Sequence, residues 1–299
     1  MSAHVSERPP VGIIGFGAFG QLMARHLAPH VPLLAYDPRL TSGGGGGGEA
    51  VIAPLAEVAH CPIVVLAGPV SRFEEMTRAI GPHLRPGAIV LDVGSVKTIP
   101  VEIMRRNLPA HAEIVGTHPL FGPQSARDGI RGLKVAVCPV RGRGGRRIAA
   151  FLRRALGLDV ILTMPAAHDR EVATAQGLTH LIAKVLVQME PLPSRMTTRS
   201  FDLIMTAVGM VRHDAPEVFQ AIEGANPFAR EVRQRFFGLA SDLAAELDRP
   251  VMRRPELLSD FRGAAGSETR RGLPERSVPD DADLPSEAAS AIPAIAGGA

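Results

Sequence analysis

The segment that most restricts the fold is Gly15-Phe-Gly-Ala-Phe-Gly20, near the start of a 299-residue chain. It closes a β-rich run, Val11–Phe16, and opens an amphipathic one, Phe19–Ala28. Between a strand and a helix, such glycines have separate tasks. Gly15 permits the tight turn, Gly17 lets a pyrophosphate approach the backbone, and Gly20 lets helix and strand pack closely. The helix start, with Phe19 in its first turn, then offers free N–H groups and a positive dipole to phosphate. Asp37 ends the next strand, Leu33–Tyr36, where an acid accepts both ribose hydroxyls of NAD and repels the extra phosphate of NADP. Arg39 stands close enough to attract that phosphate. The expected cofactor is therefore NAD, with NADP as the alternative.

Short apolar runs alternate with amphipathic ones through the first half, the pattern of a parallel sheet covered by helices. Further strands are expected at Ile63–Ala67, Ala88–Val93, Glu113–Gly116, Lys134–Val140 and Val160–Met164. Helices are expected near Arg72–Ile80, Val101–Leu108 and Arg146–Leu156. The pattern changes after Pro165. His168–Met189 reads as one long helix, with Val172, Ala175, Leu178, Leu181, Ile182, Val185 and Leu186 at helical spacing. Helices near Arg199–Val211, Pro216–Ile222 and Pro227–Leu247 follow, the last capped by Asn226 and stopped by Pro250. The fold class is thus α/β: an N-terminal Rossmann-type doubly wound sheet over residues 1–165, then a small all-helical domain over 166–254. Residues 255–299, rich in Gly, Ser, Glu, Pro and Ala, read as a disordered tail.

Other features narrow the class. The glycine run Gly43–Gly48 reads as a flexible surface loop, since no Lys-Ser/Thr helix follows it as a phosphate cradle requires. Cys61 and Cys138 sit in or beside apolar runs without zinc spacing and read as reduced core thiols of a cytoplasmic protein. No metal site is expected. The arginines around Arg141–Arg154 lack interleaved aromatics, and the chain has no Trp and one Tyr, which favours a solvated helix face over a nucleic-acid patch. No run is apolar enough to cross a bilayer. The helices after Pro165 are short with broad apolar stripes, which points to a homodimer.

Two segments carry the chemistry. Asp92-Val-Gly-Ser-Val-Lys97 and Gly116-Thr-His-Pro-Leu-Phe-Gly-Pro123 each follow a strand, so both are expected to line the crevice at the sheet's C-terminal edge. That places Ser95 and Lys97 near the nicotinamide and offers His118, in a Gly- and Pro-rich loop, as a proton acceptor. Ser95 also reads as a helix cap and His118 as a turn residue.

Taken with Thr179-His180 and the glycine turn, these segments resemble the prephenate/arogenate dehydrogenases of tyrosine biosynthesis, over about residues 10 to 245, and most closely the arogenate branch. The resemblance implies a homodimer joined by an all-helical C-terminal domain. It also implies a reaction. A cyclohexadienol loses hydride to NAD(P)⁺ from the hydroxyl-bearing ring carbon, its ring carboxylate leaves as CO₂, and the ring becomes aromatic. His118 matches the family's general base. Ser95 matches the serine that orients base, nicotinamide and substrate. His180 matches a substrate-binding histidine, and Thr179 shares its motif. Gln124 and Ser125 are expected at the substrate's polar groups, although the arogenate branch often has Glu at position 124. Lys184, one helical turn beyond His180, is a candidate for a substrate carboxylate. His168 reads as a cap-region residue with no chemical role. Prephenate-specific members place an arginine early in the second domain. The matching stretch here, Ser200–Val208, has only Asp202 as a charge, flanked by Arg195, Arg199 and Arg212, so arogenate is the expected substrate. Competing readings are a β-hydroxyacid dehydrogenase using Lys184 and a non-catalytic NAD-binding scaffold.

Overall fold

The computed structural model describes residues 8–40 and 48–249. Its centre is an eight-stranded sheet in the order β3-β2-β1-β4-β5-β6-β7-β8. The chain runs β1 (Val11–Ile14), α1 (Ala18–Leu27), β2 (Leu33–Tyr36), β3 (Val51–Ile52), α2 (Leu55–Ala59), β4 (Ile63–Leu66), α3 (Phe73–Ile80) and β5 (Ile89–Asp92). It continues with α4 (Thr98–Asn107), β6 (Glu113–Pro119), β7 (Lys134–Arg141), α5 (Gly144–Arg154) and β8 (Asp159–Leu162). The last helices are α6 (Pro165–Gln188), α7 (Arg199–Val211), α8 (Pro216–Gly224) and α9 (Ala229–Leu247). Most expected elements lie within a few residues of these bounds. The short β3 and α2 were not anticipated, because so few residues carry no readable period.

Strand alternation sorts the core into two layers. Ile13, Val65, Ile89 and Leu91 point to the face covered by α1 and α5. Ile14, Val64, Leu66 and Val90 point to the face covered by α2, α3 and α4. Burial on both faces explains why β1 and β5 are apolar without alternation. Truncating one of these, such as Leu66→Ala, would cost about 2–5 kcal/mol.

The sheet departs from all-parallel pairing at one place. β6 pairs with β7 antiparallel, and β7 pairs with β8 in parallel. This pairing carries β6 past its expected end at Gly116, so that Thr117 opposes Val137 and His118 opposes Ala136. His118 is therefore a strand residue, not a loop residue.

The helices after Thr163 pack chiefly on one another, with α6 also reaching α4, and they are continuous with the sheet as far as Asp248. The face that α6 buries is His168, Asp169, Val172, Ala173, Gly177, His180, Leu181 and Ala183, so polar groups occupy much of the expected apolar stripe. Ile182 and Val185, assigned to that stripe, are exposed. The last helix starts two residues later than expected, at Ala229. Asn226 instead organises the turn before it, its Oδ1 accepting from Phe228 N–H at 2.9 Å. Among the described residues no helix is long and apolar enough to cross a membrane. Most of the Gly43–Gly48 run and the whole 255–299 tail lie outside the described residues.

Candidate active site

The glycine turn has the geometry its sequence demands. Gly15 has φ +98°, and a Cβ there would lie 2.9 Å from the backbone of Ala67 and Gly68. A Cβ at Gly20 would strike the Gly15 carbonyl, so α1 packs directly on the turn. Gly17, by contrast, faces open space, with the Arg39 guanidinium 3.8 Å away as its nearest neighbour. That leaves the start of α1, which no side chain caps, accessible to a phosphate. Asp37 is buried at the end of β2, and its Oδ2 accepts the Phe16 N–H at 2.9 Å. Arg39 grips the same carboxylate, which holds the Asp37 carboxyl down to about 2, with the Phe16 and Arg39 N–H groups adding to the effect. Glycines, helix start and acid together fit a dinucleotide.

The second cluster lies where β5, β6 and α6 meet. Asp92 and Lys97 form a fully buried ion pair, and Lys97 passes over Gly116, where a Cβ would crowd it at 3.2 Å. Burial pushes the Asp92 carboxyl up, against the pull of Lys97. Lys97 was expected in the crevice; it is instead a core strut, and its Nζ joins the β5–α4 loop to the end of β5. The Asp92 carboxylate also accepts N–H bonds from Gly94 at 3.0 Å and Thr117 at 3.3 Å, tying the ends of β5 and β6 together.

His118 is buried beside this pair. Its Nδ1 lies 2.9 Å from Nε2 of His168, and its Nε2 lies 3.4 Å from the amide nitrogen of Gln176. Burial first, then the positive charge of Lys97 and the proximity of the His168 ring, lower its pKa well below the ordinary histidine value. The ring is thus neutral at physiological pH. His168, read from sequence as a cap residue without a role, in fact touches this histidine directly. Its Nδ1 faces Oδ1 of Asp169 at 2.8 Å. Asp169 in turn accepts the N–H groups of Lys97 at 2.7 Å and Thr98 at 2.8 Å, and so caps α4 from α6. Burial raises the Asp169 carboxyl, but bonds from His168, Thr98 and Lys97 outweigh this and hold it below its usual value.

The remaining candidates are less concentrated. Ser95 is half-buried on the β5–α4 loop and makes no hydrogen bond among the described residues. It does not cap α4, a task that Asp169 performs. Gln124 is exposed, and Ser125 closes its own turn, its hydroxyl accepting from Gly122 N–H at 2.9 Å. His180 is buried, with Nδ1 on the Gln176 carbonyl at 3.0 Å and Nε2 on Asp214 at 3.2 Å. Thr179 faces away and bonds the Ala175 carbonyl. Lys184 stands over the Phe219 ring at 4.5 Å, and that ring also neighbours His180.

Sequence reading missed His168, Asp169 and Gln176. The available signal was spacing: positions 168, 172, 176 and 180 recur every four residues on one face of α6. The buried Oε1 of Gln176 has no partner. An apolar cavity of about 310 Å³ opens between α1, α5 and the sheet, but neither His118, His168 nor Gln176 lines it.

A doubly wound sheet with a glycine turn, a buried acid just past the second strand and a buried neutral histidine at the end of β6 defines a dinucleotide-dependent dehydrogenase architecture. Comparison with known proteins is more specific. Residues 47–157, which include Ser95 and His118 but not the glycine turn, match the profile "Prephenate dehydrogenase, nucleotide-binding domain". The chain is 30% identical over 238 residues to 4-amino-4-deoxyprephenate dehydrogenase of Streptomyces pristinaespiralis, covering 74% of this chain and 78% of that protein. It is 25% identical over 259 residues to arogenate dehydrogenase 1, chloroplastic, of Arabidopsis thaliana, covering 82% of this chain. This chain spans only 40% of the Arabidopsis protein's length. In fold it matches the crystal structure of prephenate dehydrogenase from A. aeolicus in complex with hydroxyphenyl propionate and NAD⁺, with a TM-score of 0.65 at 22% identity over 87% of this chain and 96% of that one. The chain belongs to the prephenate/arogenate dehydrogenase family.

Proposed function

We propose that the protein oxidatively decarboxylates arogenate, with prephenate a weaker substrate, using NAD⁺ in tyrosine biosynthesis. The observation that carries this reading is the buried, neutral His118, held by β7 at the end of β6 within the family's matched region. When bound, NAD⁺ supplies the hydride acceptor. His118 Nε2 accepts the ring hydroxyl proton as hydride leaves the same carbon. It returns that proton to the oxygen when the ring carboxylate departs as CO₂ and the ring becomes aromatic. Protons and charge then balance with no base consumed. The Gly17 opening, the α1 start and Asp37 hold the dinucleotide. Ser95, from the β5–α4 loop, orients the substrate hydroxyl. His180 and Lys184, on α6, with Gln124 and Ser125, bind the substrate's polar groups.

In this reading residues 1–165 bind the cofactor and residues 166–254 bind substrate and form a homodimer. Exposed Leu203, Ile204, Phe237, Leu239 and Leu243 on α7 and α9 support that interface. A cytoplasmic site suits the two buried, unpaired thiols, whose pKa values burial pushes up to about 11 for Cys61 and about 12 for Cys138.

The test is NADH absorbance on adding arogenate, prephenate and 4-amino-4-deoxyprephenate in turn, each with NAD⁺ and NADP⁺. NADH production with arogenate supports the reading. Turnover of the 4-amino compound alone would reassign the substrate, and no turnover with any of the three would overturn the proposal.

A further inference from the structure

We propose that Asp169 and His168 are positioning residues that hold His118 in the one neutral tautomer able to act as a base. The proposal rests on the reading of His118 as that base.

The argument is a proton count along one line of hydrogen bonds. An ionised carboxylate only accepts. Asp169 already receives the backbone N–H of Lys97 on Oδ1 and of Thr98 on Oδ2. Its 2.8 Å contact with His168 therefore requires the proton on His168 Nδ1. A neutral His168 then has a lone pair on Nε2. The 2.9 Å contact with His118 in turn requires the proton on His118 Nδ1. His118 Nε2 is left with its lone pair, which faces the Gln176 side-chain amide nitrogen at 3.4 Å and must exchange that weak contact for the substrate hydroxyl. Were the carboxylate replaced by a donor, the same line would reverse, and His118 would present an N–H where a base is needed.

Charge supports the same arrangement. Lys97 and Asp92 neutralise each other in the buried cluster. Among the described residues Asp169, itself buried, pairs with no Lys or Arg side chain, and its one ionisable side-chain partner is His168. When His118 takes up a proton, Asp169 is the charge that offsets it through His168. This is the role of the acid in a nucleophile–histidine–acid triad, lengthened by one imidazole. The line is also rigid. Asp169 caps α4, and its carbonyl accepts the side-chain amide of Asn226 at 2.8 Å, so α4, α6 and the turn before α9 all hold it.

The experiment uses the full chain labelled with ¹⁵N-histidine, and assigns His118 by difference against His118→Asn. Wild type at pH 7.5 is expected to show His118 protonated on Nδ1, and Asp169→Ala, which removes the acceptor on which Lys97 N–H and His168 Nδ1 both converge, to lose that preference and show Nε2-protonated His118. Kinetics with NAD⁺ and arogenate or prephenate, whichever is turned over, form the second arm. Asp169→Ala is expected to lower kcat on the order of 10²–10⁴-fold with little change in KM for NAD⁺. His168→Gln, whose amide oxygen can still accept from His118 Nδ1, should retain more activity than His168→Ala. An Nε2-protonated His118 in wild type would overturn the proposal. So would Asp169→Ala and His168→Ala enzymes within about twofold of wild type while His118→Asn is inactive, which would leave the base assignment standing. A fully active His118→Asn would sink the base assignment itself.

Discussion

Arg39 closes over Asp37 with two parallel bonds, Nε to Oδ1 at 2.9 Å and its terminal nitrogen to Oδ2 at 2.9 Å. The carboxylate that should receive the adenosine ribose thus already carries a guanidinium, on an arginine that is itself largely exposed. Ribose hydroxyls must compete with that arginine for Asp37, while a 2′-phosphate could recruit it. Wild type should prefer NAD⁺, because Asp37 is held ionised at about 2 and still repels the phosphate. Asp37→Ser should narrow or reverse the preference, and Arg39→Ala should sharpen it. The check is kcat/KM for both cofactors across the three proteins. Equal use of NADP⁺ by wild type would show that Arg39 already governs the site.

His118→Asn should leave NAD⁺ affinity nearly intact, since the glycine turn is a separate part of the sheet edge, and should lower kcat on the order of 10²–10⁴-fold. Titrating NAD⁺ by fluorescence and measuring turnover on the same preparation separates the two effects. Turnover within about twofold of wild type would remove His118 from the chemistry.

How far this site could be read from sequence depends on how local each signal is. The glycine turn was legible because Gly15 and Gly20 answer to clashes within a few residues of themselves or with the adjacent strand. The strands were legible because burial on both faces leaves uninterrupted apolar runs. His118 was recognisable as a residue but not as a strand residue, because only the antiparallel pairing with β7 extends β6 to Pro119. Asp169 and His168 were illegible for the same reason in stronger form. Asp169 lies in the first turns of α6, where an acid is ordinary, and its true partners are N–H groups more than seventy residues away. Lys97 looked like a crevice lysine because nothing local shows that Gly116 makes room for its chain in the core.

Stability should fall in mild acid for a reason specific to His118. Its folded pKa is depressed below the unfolded value of 6.5, so the unfolded chain binds more protons as pH drops. The stabilisation present above about pH 6.5 is therefore lost as pH falls from there towards the folded pKa, with a slope of up to about 1.4 kcal/mol per pH unit from this one proton. Asp37 and Asp169, held below the usual carboxylate range, lose their contributions only at lower pH. Urea unfolding at pH 7.5, 6.5 and 5.5 should show the loss in wild type, and His118→Asn should flatten it. Comparing the two proteins isolates His118 from buried Asp92, whose raised pKa acts in the opposite direction. An identical slope in both would refute the assignment.

The apolar face left on α7 and α9 should be covered by a second copy of the chain. Phe237 is 47% exposed, Leu239 60% and Leu243 55%, too much apolar surface on neighbouring turns for a lone helix in water. Light scattering at micromolar concentration should give twice the chain mass of 31.7 kDa. Leu239→Glu with Leu243→Glu should shift the population to monomer. Deleting the chain after Arg254 should change neither mass ratio nor turnover. A monomeric wild type would refute the interface.

The last prediction concerns which cyclohexadienol is preferred. Prephenate carries a pyruvyl side chain ending in a carboxylate, whereas arogenate carries an amino acid there, whose ammonium offsets one negative charge. Discrimination therefore turns on whether a free cation reaches the side chain. Of the arginines flanking Ser200–Val208, Arg212 is already committed, with both oxygens of Glu190 on its guanidinium at 2.9 and 3.2 Å. Arg195, within the α6–α7 connection, and Arg199, the first residue of α7, are both exposed. Asp214 is bonded to His180, so that histidine sits beside a carboxylate, which disfavours an added anion and suits an ammonium. Gln124, where the arogenate branch often has Glu, is neutral and adds no partner for the ammonium. The balance favours arogenate, with a kcat/KM ratio over prephenate above about tenfold, or about 1.4 kcal/mol. Asp214→Asn should reduce that ratio by relieving the repulsion of prephenate. Gln124→Glu should raise it by adding a partner for the ammonium. Measuring the ratio for the three proteins decides the matter. A clear preference for prephenate in wild type would sink the claim and point to Arg195 or Arg199 as the anion clamp, to be tested by the corresponding alanine variants.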